Sequence, residues 1–300
     1  MHGRLYNQLE LEIAIIPQTP LLIKSGQKAS IDPALPDMQF VRTRRRMPNG
    51  NIDEVVYIPG SSLRGVVRAH AERLLRTLDE KHACPVEAKK FCLRQKGLKE
   101  DKEPADRLYR ESCYACRLFG NTGIASHVQM SDLYPAIGPL RESRFGVAID
   151  RITGAVAVGP FDLEVVTDAR FEGRIILRNF TVGQLGLLGA ALLDIADGLV
   201  ALGHAKSRGL GRVSIEFTRA QFRFSDKTEG AIRGVGALVA QDEVRKAYRL
   251  PSDDTLPIDG LNAVQRDALY YQAISNDDQQ IRRWLETAAP RWVEEVQNAG

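Results

Sequence analysis

Residues 57–68 read Tyr-Ile-Pro-Gly-Ser-Ser-Leu-Arg-Gly-Val-Val-Arg, and this stretch decides the fold. The apolar run 55–58 has the character of a β-strand, and the Pro-Gly pair breaks it. Apolar residues then recur at helical spacing over residues 63–78, with Ser61 or Ser62 placed to cap the helix. The stretch therefore predicts a strand that turns directly into a core helix. The residues expected on its polar face are Arg64, Arg68, Glu72, Arg73 and Arg76.

The same turn is suited to a phosphate group. The hydroxyls of Ser61 and Ser62 lie at a helix N-terminus, where backbone amides and the helix dipole favour an anion. Arg64 follows in the first helical turn. An ordinary N-cap on a core helix would have the same composition, so the turn alone leaves both interpretations open.

Composition indicates a globular protein with ample material for a core. The 300 residues are 44% hydrophobic and 26% charged, which is ordinary for such proteins. No apolar run approaches membrane-spanning length and no export signal is visible, so we expect a cytoplasmic protein without a membrane partner. Net charge is +3, but residues 251–300 carry nine acidic and four basic residues, a net of −5, which leaves +8 for residues 1–250. That asymmetry suits an anionic partner for the body of the protein.

The four cysteines lie close together in the sequence and predict a metal site. Clustered cysteines without an export signal favour a metal over disulfides. Cys113 and Cys116 form a tight pair, and Cys84 and Cys92 can complete an all-thiolate tetrahedral zinc site. Such a site has no open position, so the zinc would be structural. The spacing between Cys84 and Cys92 is wider than usual, His82 could replace Cys92, and four free thiols would need no metal.

Two basic segments accompany the turn. Residues 27–50 predict a long irregular loop that holds Asp32, Asp37 and four arginines, which favours polyanion binding. Residues 204–212 combine positive charge with glycines that let a backbone approach a ligand closely. Solvated loops without a partner would look similar. The basic and glycine residues concerned are Arg42, Arg44, Arg45, Arg46, Lys206, Arg208, Gly209, Gly211 and Arg212.

The remaining patterns predict an α+β fold. The core elements follow as strand, helix, strand, hairpin strand, helix and strand, which is the ferredoxin-like (RRM-like) βαββαβ order. We expect this core in residues 1–225, with a zinc-binding insertion at 79–120 and a projecting hairpin at 140–160. Residues 161–167 and 171–180 are expected to pair as a further hairpin. Residues 226–300 predict a helical, acidic C-terminal extension.

Three ordered motifs resemble the RAMP superfamily of CRISPR proteins. They are Ile-Pro-Gly-Ser-Ser-Leu-Arg-Gly at 58–65, Cys-x-x-Cys-Arg-Leu-Phe-Gly at 113–120 and Ser-Arg-Gly-Leu-Gly-Arg-Val at 207–213. More closely, residues 8–218 resemble a backbone subunit of a type III effector complex. Residues 145–151, followed by Gly154, resemble the thumb hairpin of such subunits.

The resemblance implies a function in RNA-guided defence. Copies or relatives of the subunit, with other CRISPR effector subunits, would stack along a guide RNA (crRNA) that pairs with a target RNA. The thumb would wedge into the duplex and flip a base at regular intervals. The residues expected to contact RNA are Arg42, Arg44, Arg45, Ser61, Ser62, Arg64, Arg151, Lys206, Arg208, Gly209, Gly211 and Arg212. Backbone contacts of this kind position RNA without reading its sequence.

In cleaving members of the family, an Asp in the loop after the first strand promotes metal-dependent cutting of the target. Asp37 fits that position, although Gln39 replaces a proline of the family pattern, and Asp32 fits less well. Mg²⁺ or Mn²⁺ would be the metal. Two alternatives stay open: a non-cleaving guide-binding scaffold with a structural Asp37, and a metal-independent RNA-processing nuclease, for which no His-Tyr-Lys set is visible.

Overall fold

The computed structural model describes residues 3–26, 36–47, 50–87, 91–99, 101–265 and 269–298, which form a mixed α+β fold with antiparallel sheets. The strands are β1 (Asn7–Pro17), β2 (Arg42–Arg46), β3 (Ile52–Val56), β4 (Val128–Met130), β5 (Tyr134–Pro135), β6 (Leu140–Ile149), β7 (Val156–Asp168), β8 (Phe171–Arg178), β9 (Val213–Phe224), β10 (Glu229–Arg233), β11 (Thr255–Asn262), β12 (Val264–Gln265) and β13 (Tyr271–Ser275). The helices are α1 (Gly60–Leu78), α2 (Cys92–Gln95), α3 (Ala105–Glu111), α4 (Tyr114–Phe119), α5 (Val182–Ala196), α6 (Val235–Leu238), α7 (Asp242–Tyr248), α8 (Asp278–Ala288) and α9 (Arg291–Asn298).

The central sheet has the strand order β12-β13-β9-β1-β8-β4, and β5 also pairs with β8. Strand β1 lies in the middle, with Leu11 opposite Ile175 of β8 and opposite Ala220 of β9. Helix α5 is buried on almost every side because α1, α8, α9 and β9 all pack against it. Its glycine-dotted apolar sequence therefore lies in the middle of the core, which is where a helix without a polar face belongs.

Helix α1 begins at Gly60, two residues earlier than a cap at Ser61 would require. The N-cap residue is Pro59, and no side chain of the cap residue bonds to the helix. The Gly60 amide instead donates to Oδ1 of Asp132, at 2.8 Å. A Cβ atom at Gly60 would overlap the carbonyl oxygen of Met130, so this close approach requires glycine. The prediction that Ser61 or Ser62 caps the helix is wrong, because the capping carboxylate comes from a distant loop.

The arginine-rich part of the predicted 27–50 loop is a β-strand. Strand β2 pairs with β3, and the register places Arg44 opposite Glu54 and Arg45 opposite Asp53. Opposite charges across a strand pair are favourable, which explains how consecutive arginines can form a strand. Residues 27–35, including Asp32, and residues 48–49 lie outside the described residues.

Strands β6 and β7 form a separate two-stranded hairpin that is longer than the predicted 140–160 thumb. The prediction that residues 161–167 pair with 171–180 is wrong, because β7 pairs with β6 along its whole length and β8 belongs to the central sheet. The inner end of β7 is buried, from Leu163 to Val166. The outer part of the hairpin, formed by both strands and the turn between them, exposes a set of apolar side chains: Phe145, Ile149, Ile152, Val156 and Val158.

The C-terminal extension contains strands as well as helices, so the prediction of a helical extension is wrong. Strands β10 and β11 pair with each other, and β13 extends the central sheet beside β9. Alternating buried and exposed residues along β11 have the period of a strand, which the sequence reading missed. Trp284 of α8 packs edge-on against Phe222 of β9, with 5.8 Å between ring centroids. No helix in the described part of the chain is both long and apolar enough to cross a membrane.

Candidate functional site

The four cysteines converge on one point of the insertion. Their Sγ atoms all lie within 4.8 Å of one another. The Sγ of Cys84 lies 3.8 Å from that of Cys113 and 3.6 Å from that of Cys116. These separations exclude disulfides, which need sulfurs about 2 Å apart. His82 does not belong to this group, and Cys92 does.

The cysteine cluster, Cys84, Cys92, Cys113 and Cys116, fits a zinc ion. Four sulfurs about 2.3 Å from a tetrahedral zinc would lie about 3.8 Å from one another, as the measured pairs do. Backbone amides also point at the sulfurs, because Cys92 donates to Cys84 Sγ and Cys113 donates to Cys92 Sγ, each at 3.3 Å. Hydrogen bonds from Cys113 and Cys116 lower the pKa of Cys84 to about 7. The group could therefore hold a metal such as zinc in a closed, structural site.

A cleft of about 510 Å³ lies between the start of α1 and the segment that follows α5. Two of the predicted segments meet there, since Ser61 and Ser62 line one wall and Lys206 lines the other. Lys24, Arg73 and His204 line it as well, and the described lining residues include no carboxylate. Burial and the nearby positive charge of Arg73 lower the pKa of Lys206. Its described lining thus presents cations and hydroxyls but no carboxylate, which is a composition suited to an anion.

Lys24 and Arg73 were missed by sequence reasoning, whereas His204 begins the predicted segment 204–212. Arg73 lies on the same side of α1 as Gly65 and Ala69, which also line the cleft, so helical spacing could have identified it. Lys24 carried no such signal, and His204 was indicated only by its place beside the glycine loop. Each is brought to the cleft by a backbone contact, for example the His204 amide donating to the Leu22 carbonyl at 2.8 Å.

The two predicted loop glycines have different surroundings. Gly211 is buried, has φ +87°, and a Cβ atom there would overlap the Leu202 carbonyl oxygen. Its amide donates to the carbonyl of Pro20, at 2.9 Å. Gly209 also has positive φ, at +82°, but is exposed and has open space around it. Gly211 therefore holds the loop against the body, while Gly209 lies on the open surface.

The predicted arginines are spread over several environments. Arg64 lies outside the cleft, because its guanidinium donates to the Phe119 carbonyl oxygen and, at 3.4 Å, to Ser126 Oγ. Burial lowers the pKa of Arg64. Arg64 therefore does not line the cleft with the serines, and its contact with RNA stays a prediction. The remaining predicted arginines that are exposed are Arg44, Arg45, Arg151, Arg208 and Arg212.

Arg42 is also engaged within the chain. Its guanidinium pairs with Glu164, whose side chain is only 9% exposed. Glu164 further accepts from Arg141 at 3.3 Å and from the Phe40 amide at 3.0 Å. A buried carboxylate needs such partners, so Arg42 has a structural role at the base of the hairpin. Arg45, by contrast, lies over the ring of Tyr134, with 4.2 Å from its Cζ to the centroid.

Asp37 lies at the base of the β6–β7 hairpin. Its Oδ2 accepts a hydrogen bond from the Asp162 amide of β7, at 3.1 Å, and the residue is exposed. Phe161, the neighbour of Asp162, lies under the guanidinium of Arg208, with 5.3 Å from Cζ to the ring centroid. Asp37, the hairpin base and the glycine loop are thus adjacent. Arg151 lies at the exposed hairpin tip, where Asp150 accepts the amides of Ile152 and Thr153.

The comparison with protein families gives one match, and it covers two thirds of the chain. The model of the RAMP superfamily matches residues 15–214, which is 200 of the 300 residues. The chain belongs to the RAMP superfamily. RAMP proteins function with RNA in CRISPR ribonucleoprotein complexes, so membership indicates a CRISPR-associated RNA-binding role. The matched segment contains the cleft, the cysteine cluster and the hairpin, whereas the C-terminal extension lies outside it. The comparison with curated proteins found no match.

Proposed function

We propose that this RAMP protein is a backbone subunit of a type III CRISPR effector complex. It holds a guide RNA by its sugar–phosphate backbone and cleaves the paired target RNA at regular intervals. The observation that carries the proposal is the cleft in which Ser61, Ser62, Lys206 and Arg73 meet without a neighbouring acid among the described lining residues. Hydroxyls and cations of this kind bind phosphates without distinguishing bases.

The fold supports the same proposal. In the central sheet the four core strands have the order β9-β1-β8-β4, with α1 between β1 and β4 and α5 between β8 and β9. This connectivity supports the ferredoxin-like interpretation, in which residues 1–225 form the core and residues 226–300 an added extension. The core positions the N-terminus of α1 beside the loop that follows α5, and so creates the cleft.

The β6–β7 hairpin fits the role of the thumb. Its outer part combines exposed apolar side chains with Arg151, and the exposed Arg144 lies nearer the body, opposite the buried Leu163. Apolar wedges of this kind can insert between stacked bases while the arginines contact phosphates. In this proposal the thumb interrupts the guide–target duplex and displaces one base pair. The displaced pair lies where the hairpin joins the body of the protein, beside Asp37.

Cleavage is assigned to Asp37. A bound Mg²⁺ or Mn²⁺ ion would stabilise the negative charge that develops at the cut phosphate. Asp37 supplies an exposed carboxylate for that ion, and the Asp162 amide fixes its direction. Arg208, next to Phe161, lies close enough to the hairpin base to contact the adjacent RNA backbone.

The experiment that tests this function is target-RNA cleavage by the reconstituted guide complex in Mg²⁺, with gel-shift measurements of guide and target binding in parallel. We expect Asp37→Ala to abolish cleavage and leave binding intact. Asp168→Ala removes an exposed acid at the C-terminal end of β7, away from the Asp162 amide, and should cleave like the wild type. Unchanged cleavage in Asp37→Ala would contradict this assignment: Asp32 or another subunit would then be responsible, and the chain would be better described as a guide-binding scaffold.

Treatment with EDTA distinguishes the proposed metal-dependent cleavage from cleavage by a metal-independent nuclease. A metal-dependent reaction stops in EDTA and returns with Mg²⁺ or Mn²⁺ without added zinc. Cleavage that persists in EDTA would instead favour a metal-independent nuclease, with His204 of the cleft as the first candidate base.

A further inference from the structure

The side of α1 that faces the insertion carries a regular stripe of charged residues. Arg64, Arg68, Glu72 and Arg76 follow at four-residue spacing, which aligns them along one side of the helix. The sequence predicts that they lie on the polar face of the helix, and in the structure this face contacts the insertion. Glu72 accepts from Arg68 at 2.8 Å and from Arg76 at 2.9 Å, so one carboxylate joins the two arginines.

Each arginine of the stripe also donates to the insertion. Arg76 binds the carbonyl oxygen of Cys84 at 2.6 Å, and Arg68 binds that of Gly120 at 3.0 Å. The second terminal nitrogen of Arg68 lies 3.5 Å from the sulfur of Cys116. Arg68 therefore uses all three guanidinium nitrogens, and one of them points at the cysteine cluster.

The net charge of a zinc-loaded cysteine cluster explains why a cation such as Arg68 lies beside it. Four thiolates and one Zn²⁺ ion sum to a net charge of about −2, which is costly in a partly buried place unless a cation is near. Cys92 and Cys116 are buried, and the Arg68 side chain is 26% exposed. A charge-assisted hydrogen bond from Arg68 to a thiolate is thus stronger than one to a neutral thiol.

We infer that Arg68 couples metal binding at the cysteine cluster to helix α1, by offsetting the charge of the thiolates while it binds the backbone at Gly120. The residue is a positioning residue, since it acts through the metal ligands. Metal in the cluster strengthens the contact with Arg68, and α1 is held in place along the stripe. The first turn of the same helix contributes Ser61 and Ser62 to the cleft, so metal binding stabilises one wall of that cleft. The inference rests on metal binding by the cluster and needs no RNA to be tested.

The test is zinc affinity of the full chain, measured by competition with a chromophoric chelator. We expect Arg68→Gln to bind zinc about 10- to 100-fold more weakly, the loss usually caused by removing a residue that supports metal ligands. Arg68→Lys keeps the charge but cannot make all three contacts, so its loss should be smaller. Arg107→Gln, which removes an exposed arginine of the insertion paired with Glu103, should bind zinc like the wild type. Equal zinc affinity in Arg68→Gln and the wild type would overturn the inference.

Hydrogen exchange on the wild type covers the case in which Arg68→Gln does not fold. We expect removal of zinc to speed amide exchange in residues 64–76 of α1, while α5 keeps its protection. Unchanged protection of α1 after complete zinc removal would contradict the coupling. Both measurements are independent of guide binding, so a failed RNA experiment and a failed metal experiment are distinguishable.

Discussion

The carboxylate of Asp37 accepts a hydrogen bond from the backbone amide of Asp162, with 3.1 Å between Oδ2 and the nitrogen. This contact joins the segment after the first strand to the base of the thumb hairpin. Because the amide belongs to the backbone, it fixes the direction of the Asp37 side chain whatever side chain residue 162 carries. The proposed catalytic acid is therefore oriented by the element that would disturb the duplex.

The substitution Asp37→Asn tests whether cleavage needs the negative charge of the side chain or only its hydrogen bond with the Asp162 amide. Asp37→Asn keeps an oxygen for the Asp162 amide but loses the negative charge that a divalent ion requires. We expect cleavage of target RNA to fall by at least about 100-fold, as in Asp37→Ala, with thermal stability close to that of the wild type. Single-turnover cleavage rates of the reconstituted complex in Mg²⁺ measure this. Near wild-type cleavage in Asp37→Asn would show that the residue only supports the backbone.

Zinc should stabilise the folded protein. Cys113→Ser removes one sulfur of the cluster, and the purified variant should contain less than one zinc ion per chain by elemental analysis. A ligand present at about 1,000 times its Kd contributes about 4 kcal/mol to the free energy of unfolding. We therefore expect the melting temperature to fall by on the order of 10 °C. A chelated wild type should melt at a similarly reduced temperature, and equal melting points in all three samples would argue against a structural metal.

Two acids of the C-terminal extension predict an unusual dependence of stability on pH. Glu295 accepts from Thr181 Oγ1 at 2.9 Å and from the Gly183 amide at 3.1 Å, and Asp254 accepts from the Val182 amide at 2.7 Å. Burial raises the pKa of Glu295 from 4.5 to about 7 and that of Asp254 from 3.8 to about 6. Between the unfolded and folded values, the folded chain binds protons that the unfolded chain does not. Their contribution to stability is therefore greatest at low pH and is lost as pH rises to about 7.

The substitution Glu295→Gln tests the prediction that stability falls as pH rises. The amide is neutral at every pH and can still bind Gly183 and Thr181, so the fall in unfolding free energy between pH 5 and pH 8 should shrink by on the order of 2 kcal/mol. Urea unfolding at both pH values measures it. Glu294→Gln, an exposed neighbour, should leave the fall unchanged. An equal pH dependence in Glu295→Gln and the wild type would contradict the raised pKa.

The glycine loop offers a pair of matched substitutions. Gly211→Ala places a methyl group against the Leu202 carbonyl at φ +87°, whereas Gly209→Ala meets nothing within 4 Å at φ +82°. The strain of positive φ costs about 1 kcal/mol in both. We expect Gly211→Ala to lose at least about 2 kcal/mol more, because the backbone of the loop must move. Urea unfolding curves measure the free energy of unfolding of both variants. Equal losses in this free energy would show that the loop can move away from the added methyl group without destabilising the protein.

The local patterns of the sequence were enough to predict the cysteine cluster. Cys113 and Cys116 are close in the chain, and this short spacing is typical of a pair of metal ligands. The strand-to-helix turn was predicted for the same reason, since its Pro-Gly break and apolar spacing are local. The four sulfurs do lie together, and α1 does begin within the predicted turn.

Partners distant in the sequence could not be predicted. Arg42 was expected to contact RNA, but it pairs with Glu164, which lies 122 positions away. Arg64 was expected beside the serines, but the insertion supplies the Phe119 carbonyl. The cap of α1 comes from Asp132, 72 positions from Gly60. In each case the sequence shows that an arginine or a helix N-terminal amide needs a hydrogen-bond acceptor. Which acceptor it binds depends on the tertiary fold, because the acceptor is far away in the sequence.

RNA binding at the cleft tests the central claim most directly. Fluorescence anisotropy with a labelled single-stranded guide RNA, at several salt concentrations, compares the wild type with the double variant Lys206→Gln and Arg73→Gln. We predict that the double variant binds at least about tenfold more weakly, with the slope of log K against log salt reduced by about 1.4, as the loss of two phosphate contacts requires. The control, Lys246→Gln with Arg107→Gln, removes two exposed charges outside the cleft and should bind like the wild type. Equal affinity and equal slope in the cleft variant and the wild type would contradict the account.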